Sequence, residues 1–535
     1  LDRSSAASDV YKRQAQQLVR ESSQSFDLET IPLNDPATYE MIGRGETTGV
    51  FQLESTGMRD VLKSMRPDTF EDIIAVVALY RPGPMDNIPS YIRRKHGKET
   101  PDYLHPILEQ ILKETFGIMI YQEQVMQIAQ ELAGFTLGRA DLLRRAMGKK
   151  IQKEMDQQRQ IFIDGAEAKG VDTSRANEIF NQVNKFAGYG FNKSHAAAYA
   201  LIAYQTAYMK ANYPAEFLAA SMTLDQGNTD KLNVFRQELK RLDISLLGPD
   251  INKSGVVFKL ESINNRFKGI RYALAALKNV GEGAMAGLLK EREKHGPFTN
   301  LTDFAERLDI RSLNKRQLEH LACAGAFDCI DPNRRRIHDG VEKIIYHSNI
   351  VKNERQSSQI GLFSGDSTSK ITINLPKSPD WLPMERLRQE FNAIGFYLSS
   401  HPIDGYTSKL QSMNVISSED ALASETSRLV TLAGTLVSKK ERTSSKGNRY
   451  AFVQFTDPSG TFEVTAFSET LALAGELLQI GNSLLIKTTV QTEGNGEAKL
   501  LAKSFSSLDE FCLLYTSPSP RARGCSRMPS SAWKK

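Results

Sequence analysis

The spacing of apolar residues changes character twice along the chain. Up to about Gly248 it follows a helical period. Residues 70–79, FEDIIAVVAL, predict a short buried helix that stops at the rigid turn Arg81-Pro82-Gly83-Pro84. GIMIY, residues 117–121, reads as a strand, and the following QEQVMQIAQELAGF sets Val125, Ile128, Ala129 and Leu132 on one helix face. Ala196 to Met209 mixes strong helix formers with apolar residues, Pro214 prevents continuation, and Ser194 is the natural N-cap. Further on, RYALAALKNVGEGAMAGLLKERE predicts helix, glycine-rich turn, helix, and residues 311–327 predict another helix closed by a Gly turn. Residues 353–379 lose periodicity and are rich in Ser, Thr and Lys, which marks a linker. ERLRQEFNAIGFYLSSHP, residues 385–402, resumes order as a helix and an apolar strand.

From about residue 425 the period becomes two. Strands are expected near Val430 to Val437, Tyr450 to Asp457, Thr461 to Phe467, Ser483 to Val490 and Lys499 to Phe505, with the helix-like ETLALAGELL between the third and fourth. Five short strands interrupted in that way point to an OB-fold barrel. Ala451, Val453 and Phe455 would fill it, while Tyr450, Phe452 and Gln454 face outward. The fold class is therefore multidomain, mainly α at first and all-β at the end, and the length alone asks for at least three units.

Composition adds less than it first suggests. DVYKRQ, residues 9–14, and CLLYTS, residues 512–517, look like two strands of one sequencing-library adapter, each translated, so residues 1–14 and 512–535 are expected to be non-native. All +5 of the net charge comes from Arg521, Arg523, Arg527, Lys534 and Lys535, and residues 1–14 add +1, so the span 15–511 carries −1. Net charge therefore gives no support for nucleic-acid binding; only local clusters can. Two of the four cysteines also lie beyond residue 511, and Cys323 and Cys329 lack metal-ligand spacing, which fits a reduced, cytoplasmic protein without a metal site in this span. No run of 18 or more apolar residues is present, so nothing spans a membrane.

Candidate chemistry sits in clusters. Gly188 and Gly190 allow a tight backbone turn, and Asn192, Lys193, Ser194 and His195 gather around a helix start, where free N–H groups, the dipole, an ammonium and an imidazole suit an anion such as phosphate. A capped core helix with one solvated lysine accounts for the same residues. In GRADLLRRAMGKK, Leu142, Leu143, Ala146 and Met147 are expected to pack inward while Arg144, Arg145, Lys149 and Lys150 crowd one helix end. Cations are favoured there by the dipole alone, but two arginines followed by two lysines exceed what capping requires and match a triphosphate. Arg93, Arg94, Lys95 and His96 form another basic run. Lys278, Gly281 and Gly283 belong to the expected hairpin, where N–H groups would hold a DNA phosphate, although Glu282 between the glycines would repel it; an ordinary helical hairpin accounts for the same residues. Lys439, Lys440, Arg442 and Lys446 flank Tyr450 and Phe452 and suit a single strand; a solvated hairpin tip is the plainer reading. QIGLF leaves Leu362 and Phe363, with Gln359, stranded in polar linker sequence.

GYGFNKSHAAAYAL resembles the fingers motif of C-family bacterial replicative DNA polymerases, and IPLNDPATYEMI, ETTGVFQLES, ALYRPGP, YQEQVMQIAQ, LLRRAMGKK and GFYLSSHP extend the resemblance over essentially all of 15–511. The resemblance implies polymerase fingers in 15–248, a helix-hairpin-helix and clamp-binding region in 249–352, a linker with the clamp motif in 353–379, a connecting segment in 380–424 and an OB-fold in 425–511. It implies DNA-directed synthesis from dNTPs, with Arg144, Arg145, Lys149, Tyr189, Asn192, Lys193, Ser194 and His195 at the triphosphate, and Gln359, Leu362 and Phe363 on the sliding clamp (the beta subunit). It also implies primer-template and single-stranded DNA, proofreading and clamp-loader subunits as partners, and Mg2+ held by palm aspartates. No two aspartates here are separated by a single residue, so those aspartates, one pair of which has that spacing in the family, are expected outside this sequence, which would be a fragment inactive alone. Two other readings are a non-catalytic DNA-binding and clamp-tethering module and a translesion paralogue, the latter disfavoured by QIGLF.

Overall fold

The computed structural model describes residues 3–22, 26–149, 152–186, 190–263, 267–309, 311, 313–356, 373–424, 426–444, 447–492 and 498–508. They fall into two compact units, Leu1–Leu224 and Asp225–Lys535. No helix among the described residues is long and apolar enough to cross a membrane.

The first unit contains α1 (Arg3–Ser22), α2 (Pro36–Gly43), α3 (Thr56–Met65), α4 (Phe70–Leu79), α5 (Ile88–Lys95), α6 (Pro106–Leu112), α7 (Gln122–Ala133), α8 (Leu137–Lys149), α9 (Gln152–Ala168), α10 (Thr173–Phe186), α11 (Lys193–Asn212) and α12 (Pro214–Leu224). The helix expected at 70–79 is α4, started by a Thr69–Asp72 capping box. Helix α7 buries Val125, Ile128, Ala129 and Leu132 as its spacing requires, and Gly134 closes it at φ +70°. GIMIY is not a strand. Ile118 to Tyr121 are buried, but their β pairing is an isolated parallel bridge, Tyr121 to Phe191, and the Ile120 and Tyr121 N–H groups donate to Gln124 Oε1 instead of to a ladder.

Two apolar cores share this unit. One gathers α2, α3 and α4 around α11, whose Ala196, Ala200, Ala203 and Ala207 are fully buried. Alanines on that face let neighbouring backbones approach closely. The buried Lys210 near the end of α11 is satisfied by the carbonyls of Glu46 and Thr48, both at 2.8 Å. The other core joins α7, α8, α9 and α10. Tyr121 belongs to the first core and Val125 to the second, so the start of α7 lies where they meet.

The second unit begins with α13 (Thr229–Arg241) and a small sheet ordered β1 (Leu246–Leu247), β3 (Phe267–Arg271), β2 (Lys259–Ile263), which the sequence reading missed. The helix expected before the Gly281–Gly283 turn is absent. Residues 272–277 instead bury Tyr272, Leu274 and Leu277 around a 3-10 turn at Leu274–Ala276. Burial of side chains on every side there leaves no solvent-facing helical stripe. After the turn come α14 (Glu282–His295), α15 (Leu301–Arg307), α16 (Lys315–Ala324), α17 (Arg334–Gln356) and α18 (Pro383–Ile394). The strand expected in GFYLSSHP is also absent. The Leu398 and Ser399 N–H groups donate to the buried Glu390 carboxylate at 2.9 and 2.8 Å instead of to a ladder, and Glu390 is neutralised by Arg334 at 3.1 Å.

Two short helices, α19 (Thr407–Ser412) and α20 (Ser418–Leu422), lead into β4 (Arg428–Thr443), β5 (Arg449–Thr456), β6 (Thr461–Phe467), α21 (Ser468–Ala474), β7 (Ser483–Thr492) and β8 (Ala498–Ser507). The strands close in the order β4-β5-β6-β8-β7, with β6 and β8 parallel through Val464–Leu500 and Thr465–Leu501. All five expected strands and the helix after the third are present, and Ala451, Val453 and Phe455 fill the barrel.

Candidate nucleotide and nucleic-acid sites

The start of α7 connects the two basic clusters of the first unit. Arg144 on α8 donates to Gln122 Oε1 at 3.3 Å, and Gln122 Nε2 donates to the Gly190 carbonyl at 3.0 Å. The Gln122 N–H also donates to the Phe191 carbonyl at 2.9 Å. One glutamine thus ties the arginine helix to the loop that opens α11.

The cap of that helix differs from expectation. Asn192, not Ser194, is the N-cap: its side chain accepts the His195 N–H at 2.8 Å, and Ser194 is exposed in the first turn. Both residue types cap well, and the choice is made by Glu123. Its carboxylate accepts the Lys193 N–H at 2.9 Å and Asn192 Nδ2 at 2.7 Å, so an internal anion already occupies this helix start. The Lys193 ammonium pairs with Glu114 at 2.7 Å and lies 5.4 Å from the Tyr121 ring centre.

Arg144 and Arg145 share Asp141, at 2.8 and 2.7 Å. The hydrogen bond from Arg144, then the charge of Arg145, holds the Asp141 carboxyl below its ordinary pKa. Arg145 is 62% exposed, so its pair is the weak, exchangeable kind. Leu143 and Ala146 are buried as expected, but Leu142 is 57% exposed: it lies on the solvent side of α8 with Arg145. Lys149 lies on α8 with its side chain outside the described atoms, and Tyr189 lies outside the described residues.

A cleft of about 470 Å³ opens beside this loop, lined in part by Ser55, Tyr80, Arg81, Phe191, His195 and Tyr199. The Arg81 guanidinium carbon is 4.0 Å from the Phe191 ring centre, and His195 lies against Phe191 and Tyr199 at 5.3 and 4.5 Å. Arg81 was overlooked because its sequence reads as a turn. The basic run 93–96 is structural by contrast: Lys95 pairs with Asp68 and the buried Asp72, Arg93 and Arg94 pair with Glu99, and His96 meets the Ser64 carbonyl.

In the second unit Gly281 caps α14, and a Cβ on Gly283 would meet nothing within 4 Å, which leaves open space over the turn. The barrel presents a polar and aromatic outer face. Arg442, Tyr450 and Phe467 lie in one row across β4, β5 and β6, and Lys440, Phe452 and Thr465 in the next. Phe467, 52% exposed, was missed because it ends its strand. Lys439 does not join this face. A bulge between Leu436 and Ser438 shifts the alternation by one residue, and Lys439 pairs instead with Glu441 at 2.9 Å. Lys446, Gln359, Leu362 and Phe363 lie outside the described residues. Among the described residues no group of three or more His, Cys, Asp or Glu side chains is gathered to hold a metal ion.

These features define a chain whose helical part is followed by a closed five-stranded barrel. Residues 11–170 match the bacterial DNA polymerase III alpha subunit finger domain, 243–337 the helix-hairpin-helix motif and 430–508 the OB-fold nucleic acid binding domain. The chain belongs to the family of bacterial DNA polymerase III alpha subunits. It is 46% identical over 476 residues to the DNA polymerase III subunit alpha of Caulobacter vibrioides, covering 89% of this chain and 41% of that one. For the subunits of Pasteurella multocida and Chlamydia trachomatis the identities are 42% and 44%, with 92% and 84% of this chain and 43% and 36% of theirs covered. The chain thus spans under half the length of these relatives. A solution structure of the second OB-fold domain of replication protein A from Methanococcus maripaludis aligns with 18% of this chain and 96% of its own at 17% identity, with a TM-score of 0.14.

Proposed function

We propose that this chain supplies the nucleotide-holding and DNA-holding parts of a replicative DNA polymerase that performs template-directed 5′-to-3′ synthesis from dNTPs. The observation that carries the reading is the Arg144–Gln122–Gly190 connection, because it draws the arginine helix and the α11 loop to one place. Arg145 and Lys193 are held by partly exposed carboxylates, Asp141 and Glu114. Exposed pairs are worth about 0–1 kcal/mol, so a triphosphate with several charged oxygens can replace those partners at small cost. His195 and the α11 N–H groups would then face the same anion, with Tyr189 and Lys149 completing the set.

Single-stranded template would lie on Lys440, Arg442, Tyr450 and Phe452, and the Gly281–Gly283 turn with Lys278 would hold duplex backbone. Gln359, Leu362 and Phe363 would tether the sliding clamp, and proofreading and clamp-loader subunits would complete the assembly. Leu362→Ala with Phe363→Ala should abolish clamp-dependent processivity while sparing clamp-independent synthesis; unchanged clamp affinity would remove the tether. Mg2+, which neutralises the transferred phosphates when bound, would be held by groups other than those of this chain. As an isolated chain the molecule would act as a DNA-binding and clamp-tethering module. Primer extension by the purified chain would overturn that division of labour.

A further inference from the structure

Helix α18 ends where Gly395 adopts φ +105°, and two cations settle on this residue and the next. The Lys278 N–H donates to the Ala393 carbonyl at 2.8 Å. The Lys278 stem then lies over Gly395, where a Cβ would stand 3.0 Å from Lys278 Cε and 2.7 Å from Thr229 Cγ2. Its ammonium is 5.8 Å from the Phe391 ring centre. On the following residue, Phe396, the guanidinium carbon of Arg236 from α13 lies 5.7 Å from the ring centre, and Arg236 Nε donates to the neutral Asn233 Oδ1 at 3.1 Å.

Neither cation has a carboxylate within 4.0 Å among the described residues, although ion pairs are the rule around them. Arg241 pairs with Glu238 at 2.8 Å, Arg271 with Glu261 at 2.6 Å, Arg334 with Asp328 at 2.8 Å and Arg386 with Asp380 at 2.8 Å. Asp230 and Asp404 act on Lys278 and Arg236 only from longer range, and burial holds both cations below their ordinary pKa values. A half-buried charge without a counter-charge is destabilising, and an external anion would complete it. The neighbourhood suggests which anion. Lys278 is separated from the open Gly281–Gly283 turn by Asn279 and Val280, while α13 reaches the barrel, where Asn233 Nδ2 donates to Thr461 Oγ1 at 3.1 Å and Lys240 Nζ to the Pro458 carbonyl at 3.3 Å.

We propose that Lys278 and Arg236, flanking Gly395–Phe396, bind phosphates of a DNA strand passing between the hairpin turn and the barrel. The contact rests on the reading that the chain binds DNA, and it gives the GFYLSSHP segment a role as the apolar bed on which both cations lie. The test is the salt dependence of binding to labelled single-stranded and duplex oligonucleotides by the whole chain. Arg236→Gln and Lys278→Gln should each lower the magnitude of the log K against log salt slope by about 0.7–0.9, with equal weakening across sequences, and Arg236→Lys and Lys278→Arg should restore it. Loss on either form of DNA supports the contact and identifies which strand state it serves. DNA binding with an unchanged slope in the double glutamine variant would overturn this inference alone; no DNA binding by the unsubstituted chain would overturn the underlying reading as well. Should the glutamine variants not fold, lysine acylation of the unsubstituted chain replaces them: DNA should protect Lys278, and equal labelling with and without DNA would overturn the contact.

Discussion

The Glu123 carboxylate accepts the backbone N–H of Lys193 at 2.9 Å, filling with an internal anion the place at which α11 would meet a phosphate. On the proposed reading, an incoming triphosphate would compete with Glu123. Glu123→Gln keeps the shape and removes the charge, so inorganic tripolyphosphate should bind the whole chain about 2- to 5-fold more tightly, as losing one opposing dipole interaction of about 0.3–1 kcal/mol implies. Calorimetric titration of the variant decides it: weaker binding would mean that Glu123 positions the loop rather than competes for it.

His401 offers a pH readout of the second unit. Burial, reinforced by the charge of Arg236 and opposed by Asp404, pushes its imidazole down to about 4. The unfolded chain takes up the proton near the ordinary value of about 6.5, whereas the folded chain does not until near pH 4. Stability should thus be full above pH 6.5 and fall by about 3 kcal/mol as the pH drops to 4. His401→Asn retains an acceptor for the Ile403 N–H and should flatten the pH dependence of the melting temperature in that window. An equally steep profile in the variant would assign the acid loss to other groups.

The row Arg442, Tyr450, Phe467 extends the aromatic face of the barrel beyond Phe452. Alanine at Tyr450, Phe452 or Phe467 should each cost about 1–3 kcal/mol in single-strand binding with little change in salt slope, because stacking is not counterion release. Lys439→Ala, on the other face, should leave binding unchanged. Fluorescence anisotropy with a labelled single strand distinguishes the two sets.

Elements whose burial repeats regularly were legible in the sequence: α4 and α7 from the helical period, and the barrel strands from a period of two that holds best in β5 and β6. What the sequence hid was decided at a distance. Asn192 rather than Ser194 caps α11 because Glu123, far away in the chain, holds it. Residues 272–277 have helical composition, but burial on several sides overrides it. Lys439 and Lys440 exchange faces because one bulged residue inverts the alternation after Leu436. In the site, the basic clusters were visible as composition, whereas Gln122 as their connector and Arg81 as a cleft residue emerge only once Gly190 and Phe191 are folded against α7.

Arg145 and its neighbours would hold the triphosphate in the proposed function. Steady-state primer extension by a complete polymerase carrying this segment, with Arg145→Ala, tests it most directly. Loss of a charge-assisted contact of about 1.5–4 kcal/mol should lower kcat/KM for the dNTP by about 10- to 1000-fold while affinity for primer-template stays the same. Unchanged nucleotide kinetics, or a loss confined to DNA affinity, would contradict it.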